Sequence, residues 1–173
     1  MKVMLVDDSK TMRTIQRNIL MQLGFKEIEE ACDGLDALSK VGPFAPELLL
    51  VDWNMPNMDG ITFVKTYRAQ GGRSPILMVT TEAEKTRVVE AIRAGVNNYV
   101  VKPFSIKELL ARVEALIAKT EAAVKDRLTK EITYWDHRAE QLKLQEQAGK
   151  PNAKLNSGEA RKRADLLQGR LQK

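Results

Sequence analysis

The chain predicts an α/β fold, a doubly wound parallel sheet followed by a C-terminal helical hairpin. Three observations carry this. Short apolar runs of strand length alternate with longer stretches whose apolar residues recur at three- and four-residue spacing, the pattern of βαβ units. The run Leu48-Leu49-Leu50-Val51 is apolar at every position, which suits a strand covered by helices on both faces. The runs also end in turn chemistry: Asp7-Asp8 after the first, and Asp52 with Asn54, Pro56 and Asp59-Gly60 after the third.

Taken in order, Val3-Met4-Leu5-Val6 is the first strand. Residues 9–23 follow as a helix on the spacing of Met12, Ile15, Ile19, Leu20 and Leu23, stopped by Gly24. Residues 25–31 are read as a second strand and 35–41 as a short helix, broken at Gly42-Pro43. The Asp52 strand comes next, then a helix over 61–67 stopped by Gly71-Gly72. Residues 75–79 form a fourth strand ending at Thr80-Thr81, residues 84–94 a helix, and Tyr99-Val100-Val101 a fifth strand ending at Lys102-Pro103. Ser105 with Glu108 is a capping box that opens the fifth helix.

Composition narrows the class. A hydrophobic content of 43% in 173 residues supports a core of ordinary size plus an appendage. One cysteine, Cys32, excludes an internal disulfide, fits a reducing compartment, and is read as a small buried strand residue. With no 18-residue apolar run and no apolar leader, a cytoplasmic protein without membrane insertion is expected. The net charge of +5 is uneven: residues 1–118 carry 15 basic and 15 acidic side chains, and the excess lies in the last 24 residues. A basic terminus points only weakly to nucleic acid, and a solvated helix face accounts for it.

Ligands of open α/β sheets bind outside the carboxyl ends of the strands. Here four strands end in Asp7-Asp8, Asp52, Thr80 and Lys102. Two or three carboxylates on one edge make an oxygen site for Mg2+. An aspartate can attack phosphorus to give an acyl phosphate, and a cation, a lysine and a hydroxyl can stabilise the charge on the transferring group. Singly each residue reads as turn chemistry; together and in order they read as a phosphoryl site.

These stretches resemble a known family. Leu5-Val6-Asp7-Asp8-Ser9, Glu29-Glu30-Ala31-Cys32-Asp33-Gly34, Met55-Pro56-Asn57-Met58-Asp59-Gly60, Leu77-Met78-Val79-Thr80 and Tyr99-Val100-Val101-Lys102-Pro103-Phe104 make residues 1–118 similar to a receiver domain of two-component signalling, of the single-domain chemotaxis (CheY-like) type. The resemblance implies a flavodoxin-like five-stranded sheet in the order 2-1-3-4-5 and phosphorylation of Asp52 by a histidine kinase. It implies Mg2+ on Asp8, Asp52 and the backbone carbonyl of Asn54, with Asp7 arranging its waters. Lys102, joined to Pro103 by a cis bond, would pair with the phosphoryl oxygens. Thr80 and Tyr99 would be the switch pair. A downstream protein would dock on the fourth helix, fifth strand and fifth helix, through Lys85, Val88, Tyr99, Val101 and Arg112. Ser9, Lys10 and Thr81 depart from common family residues and bear on the lifetime of the phosphorylated state. Trp53 is expected to pack beside the site, and Met55 and Met58 to need no cofactor. His137, the single histidine, is expected at the solvated surface.

Beyond the receiver segment the apolar spacing continues at Val124, Leu128, Ile132, Trp135, Ala139 and Leu142, with a four-residue slip around Leu128 as in a stuttered coiled coil. The fifth helix is therefore expected to run on through a first arm, 119–148. Gly149 and Pro151 mark a turn over 149–155, and the Asn156/Glu159 pair opens a second arm, 156–173. The second stripe, Ala160, Ala164, Leu167 and Leu171, reads as too small to cover the first, so a homodimer through these helices is expected. Residues 132–173 faintly resemble a helical insert of bacterial Snf2-type helicase proteins. They carry no motor motif, so a fusion with a seam near 118–124 is considered and helicase activity is not.

Three function classes compete. A phosphorylation switch is the leading one. An aspartate-dependent phosphatase would need an acid–base Asp two residues past the nucleophile, where this chain has Asn54. A receiver fused to a helical partner- or nucleic-acid-binding segment with a non-chemotaxis output is the third, although no helix-turn-helix is recognisable and nucleic acid is not the expected partner.

Overall fold

The computed structural model describes residues 1–81, 85–148 and 156–172, the side chain of Lys85 excepted. It divides into two compact units, Met1–Ile117 and Ala118–Lys173.

In the first unit β1 (Lys2–Val6), β2 (Glu27–Ala31), β3 (Leu48–Val51), β4 (Ile76–Thr80) and β5 (Asn98–Val101) form one parallel sheet in the order β2-β1-β3-β4-β5. Its helices are α1 (Lys10–Gln22), α2 (Gly34–Phe44), α3 (Gly60–Ala69), α4 (Lys85–Ala94) and the first part of α5 (Ile106–Gln147). All four residues of β3 are buried, because helices cover both faces. Met4, Val6, Leu49, Val51, Ile76 and Met78 pack with Ala37, Phe63, Val64 and Ala91 of α2, α3 and α4. Val3, Leu5, Leu48, Leu50, Leu77 and Val79 pack with Ile19 and Leu20 of α1 and with Leu109, Val113 and Leu116 of α5. The chain steps outward from β1 to β2 and returns past it to β3, so the reversal of strand order falls between β1 and β3. A crevice at such a point is where this fold class binds ligands.

Local chemistry sets the helix starts. Ser9, Asp33 and Asp59 each cap the helix after a strand, accepting from the backbone N–H of Met12, Asp36 and Thr62. Three expectations fail. α2 does not break at Gly42-Pro43 but runs through both to Phe44. In the last turn Pro43 forfeits only the one bond its missing N–H would have made, and Ala45, at φ 52 and followed by Pro46, is the real stop. β2 starts at Glu27 rather than residue 25, because the Phe25 N–H turns back to the Leu20 carbonyl. Cys32 is exposed rather than a buried strand residue. β2 ends at Ala31, and Cys32 has already turned toward the α2 cap, donating its N–H to Asp36 Oδ2.

The second unit pairs the later part of α5 with α6 (Ser157–Leu171), which opens in a full Asn156/Glu159 capping box. The two run antiparallel: Ser157 meets Glu146, Ala160 meets Ala139 and Leu142, Arg161 meets Asp136, and Leu167 meets Leu128 and Ile132. Contrary to the sequence reading, α6 covers most of the first stripe. Leu128, Ile132, Ala139 and Leu142 are buried and Trp135 is half-buried. Ala160 and Ala164 are themselves buried, and residues that small let two helices approach closely. Val124, expected in the stripe, is 43% exposed. The inference of a dimer from an uncovered stripe thus loses its premise over most of the arm. His137 is exposed, and the expected turn with Gly149 and Pro151 lies outside the described residues. No helix among the described residues is long and apolar enough to cross a membrane.

Candidate functional site

The carboxyl ends of β1 and β3 are locked side by side by pairing of Val6 with Val51 and by the Asp52 N–H on the Val6 carbonyl at 2.8 Å. That register brings Asp7 and Asp8 to Asp52: carboxylate oxygens of the three lie within 4.8 Å of one another. Asp7 and Asp52 are buried and Asp8 is exposed, so the cluster opens to solvent on one side. Lys102, carried by the end of β5, donates to Asp7 Oδ2 at 2.8 Å and lies 3.1 Å from Asp52 Oδ2. Its N–H bonds the Thr80 carbonyl at 2.7 Å, tying the end of β5 to the end of β4, and the Lys102–Pro103 bond is cis as expected.

The second oxygen of each buried carboxylate is also held. Asp7 Oδ1 accepts from the Ser9 N–H at 2.9 Å, and Asp52 Oδ1 from the Trp53 N–H at 2.8 Å. Burial pushes the Asp52 carboxyl above the ordinary carboxylate range; the Lys102 charge opposes this and the Asp7 charge adds to it. A buried, carboxylate-rich edge with one lysine is short of positive charge. Oxygen donors converging from one side are what a hard divalent cation prefers, so the residues fit Mg2+.

Asp7, Asp8, Asp52 and Lys102 therefore come together directly, and Thr80, fully buried, joins them through Lys102. Asn54 is exposed in the loop after β3. Trp53 is buried beside the site, with the Arg87 guanidinium 5.1 Å from its ring centre. Away from the carboxylates, Val88, Tyr99 and Arg112 line a groove of ≈ 310 Å3 with Ala91 and Ile92. Val101 is half-exposed and does not line that groove, and the Lys85 side chain lies outside the described residues.

Three supports escaped the sequence reading. A Cβ on Gly60 would overlap the Asp52 carbonyl oxygen, so only glycine lets α3 start this close to the site. Asn57 donates to Asp33 Oδ2 at 2.7 Å and the Gly34 N–H to the Met58 carbonyl at 3.1 Å, which pins the loop after β3 to the start of α2. Arg13 bonds the backbone of Asp7 and Asp8. The Asp-Gly pairs at 33–34 and 59–60 were visible as turns, but the contact of the first with Asn57 and Met58 was not.

Comparison with known proteins identifies the family and the fold. The family model described as the response regulator receiver domain matches residues 3–114. The chain is 43% identical over 124 residues to chemotaxis protein CheY1 of Helicobacter pylori, spanning 70% of this chain and 100% of that protein. It is 43% identical over 123 residues to chemotaxis protein CheY-3 of Vibrio cholerae, spanning 69% and 93%. Among solved structures, Vibrio cholerae CheY4 superposes with a TM-score of 0.63 at 37% identity, covering 66% of this chain and 97% of that one. The CheX–CheY–BeF3–Mg2+ complex of Borrelia burgdorferi matches with a TM-score of 0.65 at 26% identity, covering 67% and 88%.

Proposed function

The chain belongs to the response regulator receiver family, and from that premise we propose that Asp52 accepts a phosphoryl group from a histidine kinase and that its acyl phosphate switches partner affinity. The observation that carries this is the convergence of Asp7, Asp8, Asp52 and Lys102 at the β1/β3 reversal. A carboxylate oxygen of Asp52 attacks phosphorus, the P–N bond of the kinase phosphohistidine breaks, and the imidazole leaves with the electron pair. Asp8, Asp52 and the Asn54 carbonyl are the groups to hold Mg2+, with Asp7 arranging its waters. Bound there, the ion would supply positive charge to offset the negative charge spread over the phosphoryl oxygens.

Lys102 now spends its charge on Asp7 and Asp52. Once Asp52 carries the acyl phosphate, one of those partners is gone, and the ammonium is available to a phosphoryl oxygen. The Thr80 hydroxyl takes another of these oxygens, and Tyr99 moves with it. The output surface is then the groove of Val88, Tyr99 and Arg112, which a downstream protein reads. Identity to the chemotaxis proteins supports a chemotaxis-type output. The protein acts as a switch that makes and loses its own acyl phosphate rather than as a turnover enzyme. Asn54, in the place where an aspartate phosphatase needs its acid–base group, supports that choice.

Trp53 fluorescence in a Trp135→Phe background tests the proposal. Mg2+ should change the signal, and acetyl phosphate should change it again in the parent but not in Asp52→Asn. No response to either addition would refute the reading.

A further inference from the structure

Arg13 takes no part in the steps above, yet its guanidinium lies against the same sheet edge. Nη1 donates to the Asp7 carbonyl at 2.6 Å and to the Asp8 carbonyl at 3.3 Å. Nε donates to Glu30 Oε2 at 3.0 Å, and the other Glu30 oxygen takes Arg17 Nη1 at 3.0 Å. The Arg13 side chain is only 13% exposed, so its bonds to the Asp7 carbonyl and to Glu30 are partly shielded from competing water, while the bond to the Asp8 carbonyl is open to it.

The two aspartates it holds differ in what else fixes them. The Asp7 carboxylate is held at both oxygens, by the Ser9 N–H and by Lys102. The Asp8 carboxylate takes no hydrogen bond or ion pair among the described residues. Its direction is set by the main chain, and the carbonyl on that main chain is what Arg13 grips. We propose that Arg13 is the positioning residue of the acidic site: anchored on Glu30 of β2, it holds the Asp7-Asp8 backbone so that the Asp8 carboxylate faces Asp52 across the place of a divalent cation. This rests on the reading of the cluster as a Mg2+ site.

The chemistry favours arginine. A planar fork of five donors bonds two carbonyls through one nitrogen and a carboxylate through another, whereas an ammonium is a point charge that must choose. Bonds from an ionised donor are also about twice as strong as neutral ones. Groups that orient metal ligands from behind typically govern affinity by about 10–100-fold.

The experiment uses the full chain in the Trp135→Phe background with MgCl2 as probe. Arg13→Met should weaken Mg2+ binding by about 10-fold or more. Arg13→Lys should recover part of that loss. Arg17→Met breaks a bond to the same Glu30 but touches neither aspartate, and should bind as the parent does. Amide exchange at Asp8 and Ser9, measured without metal, should quicken in Arg13→Met and not in Arg17→Met. Parent-like affinity and exchange in Arg13→Met would overturn the inference, as would equal weakening by Arg17→Met. If Arg13→Met fails to fold, Arg13→Lys against Arg17→Met decides it by the same readouts. A parent that ignores Mg2+ would sink the metal reading alone, and the exchange comparison would still judge the clamp.

Discussion

The sheet-bearing unit buries Asp7, Gln16, Asp33, Asp52 and Thr80 among its aliphatic side chains, whereas every residue described as buried in the helical unit is apolar. Burying a carboxylate costs several kcal/mol unless charge and hydrogen bonds compensate it. The first unit concentrates that cost in Asp7 and Asp52 at the β1/β3 crevice and offsets part of it with Lys102, whereas Asp33 is compensated by the Asp36 N–H and the Asn57 amide. The helical unit keeps its charges outside, in exposed pairs such as Lys130 with Asp126 and Arg161 with Asp136. Retained expense of this kind marks where chemistry happens. The sheet is the working unit, and the hairpin is held by side-chain packing and its helix cap.

The largest effects should separate the units. Leu50→Ala, at a position 1% exposed between β1 and β4, should cost about 2–5 kcal/mol and take phosphorylation down with the fold. Leu167→Ala, at the edge of the smaller cluster, should fall at the low end of that range and leave labelling by acetyl phosphate intact. Urea unfolding and labelling on both variants check this, and equal loss of labelling would break the comparison. Gly60→Ala sharpens it from within the first unit. Its Cβ forces the Asp52 carbonyl to move, and a displacement near 1 Å should cost labelling on the order of 100-fold. Parent-like labelling of that variant would show the close approach to be dispensable.

How much of this was legible depends on how local the cause is. Four aliphatics in a row and a terminal aspartate announced β3 and its site residue, because burial on both faces leaves a mark on every position. The Ser105/Glu108 and Asn156/Glu159 pairs announced helix starts, since a cap lies within three residues of what it caps. Residues 132, 139 and 142 announced the hairpin stripe by period alone. Pro43 misled because a proline in a last helical turn looks like one between elements. Val124 misled because periodicity does not say where a partner helix stops. The Arg13 grip on Asp7 and Asp8 and the near-overlap of Gly60 with Asp52 left no pattern at all, being contacts to backbone atoms.

Acid titration should give smaller effects of opposite sign. With its carboxyl raised by burial against the pull of Lys102, Asp52 holds its proton in the folded state above the unfolded value of 3.8. The native state then binds the extra proton, so ionising Asp52 lowers stability as pH rises through that window. Asp52→Asn should therefore be more stable than the metal-free parent at neutral pH, and equal to it below pH 3.8. Burial also raises Glu30, but the bonds and charges of Arg13 and Arg17 outweigh it and lower its pKa from 4.5. Its stabilisation is present above pH 4.5 and lost as pH falls through the folded value. Glu30→Gln should thus be the less stable protein at neutral pH and converge with the parent in acid, as thermal melts across pH would record. Smallest of all, Lys130→Ala removes an ion pair whose partners are 76% and 63% exposed and should change stability by less than about 0.5 kcal/mol.

The central claim is that the costly carboxylate at the end of β3 is the phosphoacceptor. The direct measurement is peptide mapping of the full chain by mass spectrometry after acetyl phosphate and Mg2+, with borohydride reduction to trap acyl phosphates. A single reduced site at Asp52, absent without Mg2+ and absent in Asp52→Asn, is the predicted result. Modification at another residue, or undiminished labelling of Asp52→Asn, would contradict it.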